Sequence, residues 1–312
     1  MNRSGFPSIT VIISTRDRGG HIVKTIETIL ENDYPHFDLI IVDQNEDDLT
    51  ETSLKPFLKN PQFRYLKSHT QGLSAGRNLG ISHTEGEIIA LTDDDCEVPT
   101  DWLKELMTAF HVDRRIGVVF GNVESGPHDS TAGFIPTYFR TEPFLASTWR
   151  EKHHVNGMSA CMGIRRSLWE SLNGFDEMLG AGSTFKAGEE TDFTIRALLT
   201  GHFVYETPAV RVIHQGFRPW EKGRILIQGY LYGTGATFAK YLKCGHGSVI
   251  SILLLMGWRW AFQPPAVDIG HRPFRLLRLK AFVKGFLDGL MAPVDRSRGH
   301  FSSSKLFRTQ KG

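Results

Sequence analysis

The sequence predicts an α/β fold, in which a mostly parallel sheet is flanked by helices and followed by a mainly helical region. Short runs of apolar, β-branched residues alternate with amphipathic segments through the first two thirds of the chain, as in successive βαβ units. These runs are apolar throughout, which is typical of strands that helices cover on both faces. Beyond residue 216 the chain becomes basic, aromatic and helix-like.

The individual elements follow from periodicity and from local start and stop signals. Residues 8–15 form a nearly continuous apolar run and predict a buried strand, and residues 21–32 place their isoleucines on one helical face. The same reasoning predicts seven further strands, at 39–42, 63–66, 87–91, 118–120, 158–163, 203–206 and 210–214. It predicts four further helices, at 74–82, 102–110, 166–172 and 189–200. Residues 121–155 predict loops.

Length and element order divide the chain into two regions. We expect an α/β domain over residues 1–215, made of two halves at about 1–100 and 101–215, followed by a basic, mostly helical region at 216–312. Three widely spaced cysteines predict a reducing compartment, and the N-terminus lacks the features of a signal peptide. The expected location is therefore cytoplasmic, or peripheral on the inner face of the plasma membrane.

The last third of the chain differs from the rest in charge. Residues 211–312 hold 17 Lys and Arg against 4 Asp and Glu, although the whole chain has a formal net charge of +2. Such a basic block suits nucleic acid or an anionic membrane leaflet, and an ordinary solvated surface explains it equally well. In residues 272–280 the cations alternate with apolar rather than stacking side chains, which favours a membrane over nucleic acid.

Two C-terminal segments bear on the membrane question. Residues 280–291, beside Arg272, Arg275 and Arg278, predict a basic amphipathic helix that either lies on a membrane surface or packs against the catalytic domain. The apolar stretch 249–258 is shorter than the roughly 20 residues that a spanning helix needs. It predicts a buried or interfacial helix.

Three consecutive carboxylates, Asp93, Asp94 and Asp95, directly follow the strand at 87–91. The carboxyl ends of parallel strands form the ligand-binding edge of an open α/β sheet. Carboxylates spaced one residue apart point the same way there and offer hard oxygens to Mg²⁺ or Mn²⁺, which in turn bridges a diphosphate. A solvated turn is the alternative interpretation. Since neither Gly-x-Gly-x-x-Gly after the first strand nor a P-loop is present, a dehydrogenase and a P-loop NTPase are disfavoured.

A second acidic cluster, Glu189, Glu190 and Asp192, begins the helix at 189–200. Carboxylates in a first helical turn interact favourably with the helix dipole, by ~0.3–1 kcal/mol each, which is one explanation of the cluster. The other is chemical, because a carboxylate beside a bound metal is suited to deprotonate an acceptor hydroxyl as a general base.

Seven motifs in this order resemble the inverting family 2 glycosyltransferases of GT-A fold. They are VIISTR at 11–16, IVD at 41–43, GLSAGRNLG at 72–80, TDDD at 92–95, NGFDE at 173–177, GEETD at 188–192 and VIH at 212–214. The resemblance covers residues 7–215 and implies a Rossmann-like sheet in the GT-A arrangement. It also implies that the domain at 1–215 is a glycosyltransferase domain with a nucleotide-sugar half at about 1–100 and an acceptor half at about 101–215.

The resemblance also implies roles for individual residues. Those implied to bind the nucleotide sugar are Thr15, Arg16, Asp43, Arg77, Asp93 and Asp94. Asp95, as the second carboxylate of an Asp-x-Asp motif, and His214 are implied to hold the divalent metal, Mn²⁺ or Mg²⁺. Glu190 aligns with the family's general base, and Asp192 is the second candidate because this chain has Glu-Glu where many relatives have Glu-Asp. Asp176 and Glu189 are implied to lie on the acceptor or donor-sugar side.

The implied function is that of a metal-dependent inverting glycosyltransferase. Its donor would be a nucleoside-diphosphate sugar of UDP, dTDP or GDP type, and its acceptor a glycan or a lipid-linked glycan in polysaccharide, glycolipid or cell-envelope synthesis. Alternatives are a nucleotidyltransferase that makes the nucleotide sugar and a non-catalytic homologue that binds it. No nucleic acid partner is expected.

Overall fold

The structure, a computed structural model, describes residues 7–17, 22–247, 250–252, 255 and 274–302. The first half contains β1 (Ile9–Thr15), α1 (Ile22–Leu30), β2 (Phe37–Asp43), α2 (Leu49–Leu54), β3 (Phe63–Lys67), α3 (Leu73–Ser82), β4 (Ile88–Leu91), β5 (Cys96–Glu97) and α4 (Trp102–His111). The second half contains β6 (Ile116–Ser125), β7 (Gly133–Phe134), β8 (Phe144–Ala146), β9 (Met162–Arg165), α5 (Arg166–Ser171), α6 (Glu189–Leu199), β10 (Phe203–His214), β11 (Arg218–Pro219), α7 (Trp220–Lys243), α8 (Phe274–Met291), β12 (Val294–Asp295) and β13 (His300–Phe301).

The central sheet has nine strands within the described part of the chain. Its order is β3-β2-β1-β4-β9-β6-β10-β5, with β8 also paired to β10. Strands β3, β2, β1 and β4 are mutually parallel, as predicted. Strand β9 runs antiparallel between β4 and β6, and β5 and β8 run antiparallel to β10. The α/β class is confirmed, and the sheet is mixed because β5, β8 and β9 run against their neighbours.

Hydrophobic packing covers both faces of the sheet, which is why its strands read as continuous apolar runs. Along β1, Val11 and Ile13 pack with α1 and α4 on one face, while Ile12 packs on the other. All three side chains are fully buried. Burying such a side chain contributes ~1.5–3 kcal/mol relative to leaving it in water. The buried strands therefore fix the sheet edge at which the polar residues after β1 and β4 emerge.

The structure departs from the predicted elements between residues 121 and 214. Residues 203–214 form one strand with an irregularity between Glu206 and Arg211, not two strands. Ser159–Cys161 is a 3₁₀ turn, and β9 starts only at Met162. The region 121–155 is more ordered than predicted, since β6 extends to Ser125 and short pairings follow it. These pairings are non-local, so periodicity within the segment carries little trace of them.

The predicted C-terminal helices are present as α7 and α8, which pack through small residues. An added Cβ at Gly285 would collide with the backbone of Tyr232, and one at Gly289 would meet the backbone of Ala236. Much of the apolar stretch 249–258, and Arg272, lie outside the described residues, as do residues 18–21 in the predicted turn and helix start. In the described residues, none of the helices has the length and apolar character needed to cross a bilayer.

Candidate active site

A cleft of about 1030 Å³ lies at the carboxyl ends of β1 and β4. Its lining comes from distant parts of the sequence, because the sheet brings several strand ends to one edge. Predicted site residues on its wall are Thr15, Arg16, Asp93, Asp94, Asp95, Glu189, Glu190 and His214. The residues 226, 227, 230 and 234 of α7 form a further part of the wall, so the C-terminal region contributes directly to the cleft.

The three consecutive aspartates have different surroundings. The Thr15 hydroxyl donates to Asp94 Oδ2 at 2.6 Å, and the Thr25 hydroxyl donates to the Asp94 carbonyl at 3.1 Å. Asp94 therefore ties the end of β1 and helix α1 to the turn. Arg77 Nη2 donates to Asp93 Oδ1 at 3.2 Å, and His214 Nε2 lies 3.1 Å from Asp95 Oδ1. Asp93 and Asp95 thus contact Arg77 and His214, while Asp94 between them faces the end of β1.

Asp95 and His214 meet because β5 pairs antiparallel with the end of β10, placing His214 opposite Cys96. Ligand atoms of Asp95, Cys96 and His214 all lie within 4.8 Å of one another, and all three residues are buried. His214 Nδ1 lies 3.0 Å from the Pro136 carbonyl oxygen, an acceptor only, so Nδ1 carries a proton and Nε2 faces Asp95. Such a hydrogen bond to the remote ring nitrogen is what orients a metal-ligating histidine.

The space in front of this pair is kept open by a glycine. A Cβ at Gly216 would collide with His214 Nε2 and with Asp95 Oδ2. Two buried acceptor atoms 3.1 Å apart need a positive charge between them, supplied by a proton or a cation. Burial lowers the pKa of His214, but the hydrogen bond and charge of Asp95 outweigh it and raise that pKa. A carboxylate and an imidazole with free space in front fit a small divalent cation.

The third member of this group, Cys96, is a poorer ligand. Burial, together with the charges of Asp93 and Asp95, raises the pKa of its thiol well above the ordinary value. A protonated thiol does not ligate a metal ion, and hard cations such as Mg²⁺ and Mn²⁺ prefer oxygen. The fit to a divalent cation therefore depends on Asp95 and His214.

Arg77 of α3 is buried beneath two carboxylates of the cleft. Its Nη2 contacts Asp93, and its Nη1 lies 3.7 Å from Glu189 Oε1. Burial raises the pKa of Asp93 despite the charge of Arg77, and burial together with neighbouring Glu190 raises the pKa of Glu189. Arg77 is not part of the cleft wall, so its charge reaches the cleft through these two side chains.

Glu190 lies on the cleft wall at the start of α6, and a serine orients it. The Ser159 hydroxyl donates to Glu190 Oε1 at 2.7 Å, and the Ser159 backbone N–H donates to the same oxygen at 3.2 Å. Ser159 begins the 3₁₀ turn before β9, so this turn holds the Glu190 carboxylate toward the cleft. The two hydrogen bonds to Oε1 fix the direction in which the carboxylate points.

Asp192, the second candidate base, lies elsewhere. It is fully buried and is not part of the cleft wall. Lys240 Nζ lies 2.6 Å from Asp192 Oδ1, Arg196 Nη2 lies 2.8 Å from Oδ2, and the Tyr241 hydroxyl donates to Oδ1 at 2.8 Å. Although burial opposes it, the charges of Arg196 and Lys240 lower the pKa of Asp192 to about 2. Two positions on a helix turn a side chain by about 200°, which takes Asp192 into the core.

Asp176, expected on the donor-sugar or acceptor side, belongs to the same buried cluster. Its Oδ2 lies 2.6 Å from Lys240 Nζ and accepts a hydrogen bond of 2.7 Å from the Phe301 backbone N–H. It is not part of the cleft wall. In this structure Asp176 and Asp192 anchor α7 and the β13 segment to the α/β part of the chain.

Asp43 ends β2 just beneath the cleft wall. It is fully buried and accepts hydrogen bonds from the Asn45 side chain at 2.7 Å and from the Tyr65 hydroxyl at 2.6 Å, and Lys67 Nζ lies 3.3 Å away. The next residue, Gln44, lines the cleft. Arg16 also lines the cleft and is partly exposed.

Several cleft residues were not identified from the sequence. They are Lys152, Ser159, Lys186 and Arg218. Lys152 is buried, and burial lowers its pKa to about 8. None of these residues belongs to a motif, and their loops reach the cleft through long-range packing, so the sequence offers no local signal for them.

Glu206, also missed, organises the acceptor-side loop from within. It is fully buried at the irregularity of β10. Its carboxylate accepts hydrogen bonds from the Tyr138 hydroxyl, Arg140 Nε and the backbone N–H groups of Asn156 and Gly157. One buried carboxylate thus fixes the loop that precedes the Ser159 turn.

A mixed α/β sheet with an Asp-x-Asp turn at its ligand edge, a histidine beside the second aspartate and an acidic helix across the cleft defines a GT-A-type site. The profile of the family described as Glycosyl transferase family 2 matches residues 10–172, just over half of the chain. The chain therefore belongs to glycosyl transferase family 2, and the resemblance noted in its motifs is confirmed.

The curated relatives include proteins named for glycan synthesis. The O-antigen biosynthesis protein RfbC of Myxococcus xanthus is 24% identical over 229 residues, which cover 67% of this chain and 17% of RfbC. A GalNAc(5)-diNAcBac-PP-undecaprenol beta-1,3-glucosyltransferase of Campylobacter jejuni is 28% identical over 119 residues, covering 37% of this chain and 38% of the relative. The alignments span less than half the length of these relatives.

Solved structures with the same fold include two complexes with nucleotide sugars. S. aureus TarS residues 1–349 in complex with UDP-GlcNAc superposes with a TM-score of 0.55 at 17% identity, covering 71% of this chain and 66% of that one. The mannosyltransferase PcManGT from Pyrobaculum calidifontis, in complex with GDP-Man and Mn²⁺, gives a TM-score of 0.58 at 17% identity, covering 91% and 87%. The predicted fold is confirmed.

Proposed function

We propose that this chain is a divalent-metal-dependent, inverting glycosyltransferase that moves a sugar from a nucleoside-diphosphate sugar to an acceptor hydroxyl. The observation that carries the proposal is that Asp93, the Asp95–His214 pair and Glu190 line one cleft at the carboxyl edge of the sheet. Two candidate metal ligands and a candidate general base therefore face the same space. The names of the relatives and structural neighbours support this chemistry.

Asp95 and His214 would hold the cation, Mn²⁺ or Mg²⁺. When bound, the cation neutralises the charge that develops on the departing diphosphate. The GDP-Man and Mn²⁺ complex of PcManGT supports this assignment. Thr15, Arg16 and Asp94 form the nearby wall where the nucleoside and ribose would bind, with Asp43 fixing the end of β2 beneath them.

Arg77 acts from below the cleft wall, through its neighbours Asp93 and Glu189 on that wall. The guanidinium of Arg77 contacts Asp93 and lies 3.7 Å from Glu189. Its positive charge offsets the negative charges of these two side chains, so that a donor with two phosphates can bind beside them. Without this buried cation, the carboxylates would repel an anionic donor. Arg77 is therefore proposed to support donor binding through its neighbours.

Glu190 is proposed as the general base. It would take the proton from the acceptor hydroxyl while the hydroxyl oxygen forms a bond to the anomeric carbon. The bond from that carbon to the diphosphate oxygen breaks on the opposite face, and its electron pair leaves with the nucleoside diphosphate. This single displacement inverts the anomeric centre. Asp192 is unsuited to the role because Lys240 and Arg196 hold it in the core as an ion pair.

The acceptor is proposed to be a glycan or lipid-linked glycan of polysaccharide, glycolipid or cell-envelope synthesis. The printed names of the O-antigen protein and the PP-undecaprenol glucosyltransferase support this class. The wall residues Leu226, Ile227 and Tyr230 of α7 offer apolar and aromatic surface on the acceptor side. A location in the cytoplasm, at the inner face of the plasma membrane, would suit such an acceptor.

A thermal-shift titration tests the donor and metal assignments. UDP, dTDP, GDP and CMP would each be added with Mn²⁺ or with EDTA, to the native chain and to Asp95→Ala. A ligand that binds only the folded state stabilises it by ~2.7 kcal/mol at a hundredfold excess over Kd. We expect one nucleoside diphosphate to raise Tm only with Mn²⁺, and Asp95→Ala to abolish that increase. The exposed control Glu85→Ala should retain it.

The outcome that counts against the proposal is an absence of any metal-dependent shift with all four nucleotides. Where a nucleotide does bind, incubation with the matching nucleotide sugars and lipid-linked glycans should release free nucleoside diphosphate and form a product of inverted anomeric configuration, detectable by NMR. Binding without transfer to any acceptor would favour the non-catalytic homologue.

A further inference from the structure

Helix α8 exposes a continuous apolar stripe to solvent. Leu276, Leu279, Val283, Leu287 and Met291 are 74%, 53%, 44%, 52% and 69% exposed. Their spacing of three or four residues places them on one face of the helix. A helix on the surface of a soluble domain normally turns such a face inward, so an outward stripe of this length indicates a binding surface.

The opposite face of α8 is already packed. Gly285 and Gly289 lie against the backbone of α7, and the Tyr232 hydroxyl donates to Asp288 Oδ2 at 2.7 Å. These contacts set the rotation of α8 about its axis. The apolar stripe is consequently held outward by the fold, and α7 has no role in covering it.

Charge beside the stripe favours one kind of partner. Lys280 is exposed within the width of the stripe and Lys284 on its flank, and Lys284 Nζ also lies 2.6 Å from Asp288 Oδ2. Residues 211–312 as a whole hold 17 Lys and Arg against 4 Asp and Glu. Apolar side chains bordered by lysines match an anionic lipid interface, where the side chains enter the acyl boundary and the ammonium groups meet lipid phosphates.

We propose that the exposed face of α8 docks this protein onto an anionic phospholipid bilayer, with the helix parallel to the surface. Helix α7 lies between that face and the cleft, since residues 226, 230 and 234 of α7 line the cleft while Tyr232, Gly235 and Ala236 contact α8. Two helix layers of roughly 8–10 Å each separate the cleft from the bilayer. This extends the proposed function by placing a lipid-linked acceptor within reach.

Vesicle flotation of the full chain tests the docking directly. The probes are vesicles of phosphatidylcholine alone and of phosphatidylcholine with about one third phosphatidylglycerol, since anionic lipid is the expected attractant. We expect flotation with the anionic vesicles, weakened by high salt. Val283→Glu with Leu287→Glu, the stripe variant, should reduce bound protein at least tenfold, because both side chains lie on the exposed stripe.

Matched variants separate docking from general surface hydrophobicity. Leu49→Glu with Phe139→Glu changes two side chains of comparable exposure, 64% and 58%, away from α8 and should leave flotation unchanged. Lys280→Gln with Lys284→Gln should weaken binding to anionic vesicles and reduce its salt dependence. Thermal unfolding should be unchanged in the stripe variant, which shows that it folds.

Two results would overturn the inference. The first is failure of the native chain to float with anionic vesicles at low salt, or flotation that the stripe variant leaves intact. The second is a stable dimer in light scattering that the stripe variant dissociates, which would assign the face to a second copy of the chain. Flotation needs no turnover, so an inactive transferase that still floats would refute the proposed function while leaving the docking inference standing.

Discussion

Lys240 joins helix α7 to two buried carboxylates of the α/β part, Asp176 and Asp192. Replacing it by methionine tests how much this contact contributes to the free energy of unfolding. Lys240 is fully buried, and its Nζ lies 2.6 Å from Asp176 Oδ2 and 2.6 Å from Asp192 Oδ1. Methionine retains most of the apolar stem, so Lys240→Met removes the charge with little loss of packing volume. Both carboxylates then stay buried with less positive charge to balance them.

The loss of stability in Lys240→Met depends on the contacts that Asp176 and Asp192 keep. Breaking a buried ion pair by removing one partner destabilises a fold by ~3–5 kcal/mol. Asp192 keeps Arg196 at 2.8 Å, and Asp176 keeps the Phe301 backbone N–H, so the lower end of that range applies. A loss of about 3 kcal/mol lowers Tm by roughly 5 °C in a chain of 312 residues. It is a large share of a typical stability of ~5–15 kcal/mol.

Urea unfolding with linear extrapolation measures this loss, with Lys222→Met as the matched control because Lys222 is exposed on the same helix.

The pKa of Asp192 is lowered from 3.8 to about 2 in the folded chain, so its ionised form contributes stability above pH 4 that disappears as the pH falls toward 2. The difference between native chain and Lys240→Met should narrow over that range. A loss under ~1 kcal/mol at neutral pH would refute the role given to this cluster.

Three further predictions concern the cleft. Glu190→Gln should lower kcat by at least ~10²-fold, since the amide cannot accept the proton, and should leave the metal-dependent nucleotide shift intact. Ser159→Ala should lower kcat about tenfold with little change in donor Kd, because it removes the 2.7 Å hydrogen bond that orients Glu190, and Ser159→Thr should restore much of the rate. Gly216→Ala should abolish the metal-dependent nucleotide shift, because its Cβ occupies the space in front of His214 and Asp95.

Each of these predictions has an outcome that contradicts it. Full activity in Glu190→Gln would remove that residue from the role of base. A Ser159→Ala variant that loses donor binding and kcat together would indicate collapse of the loop instead of misorientation of one carboxylate. Isothermal titration with Mn²⁺ and nucleotide that gives native affinity for Gly216→Ala would show that the cation lies elsewhere.

The sequence predicts the fold best where the determinants are local. The buried run of β1 and the acidic turn after β4 are contiguous in sequence, and a strand that ends at a sheet edge necessarily presents its next residues there. Asp93 to Asp95 therefore appear where expected. The pairing of Asp95 with His214 spans more than a hundred residues, and it was expected only because the family motif includes the histidine.

Sequence reasoning could not separate Glu190 from Asp192, because the distinction depends on a partner in another helix. Both are carboxylates in the first turn of α6, and the dipole argument applies to both. Only the fold shows that Lys240 of α7 meets Asp192 and that Ser159 meets Glu190. The signal available in the sequence was a lysine in the otherwise small and apolar stretch 233–242, which indicates a buried counter-charge.

The same contacts explain why the C-terminal helices matter to a site built mostly by the α/β part. Gly233 of α7 lies against the backbone of Ala187, just before the acidic start of α6, and Gly188 has a positive φ of 98° that no other residue adopts easily. Lys240 then locks α7 to Asp192 one turn further along α6. Helix α7 therefore fixes the position from which Glu190 faces the cleft, supplies the cleft wall beside it and carries α8 on its other side. The position of Glu190 relative to the α7 side of the cleft therefore depends on the buried contact between Lys240 and Asp192.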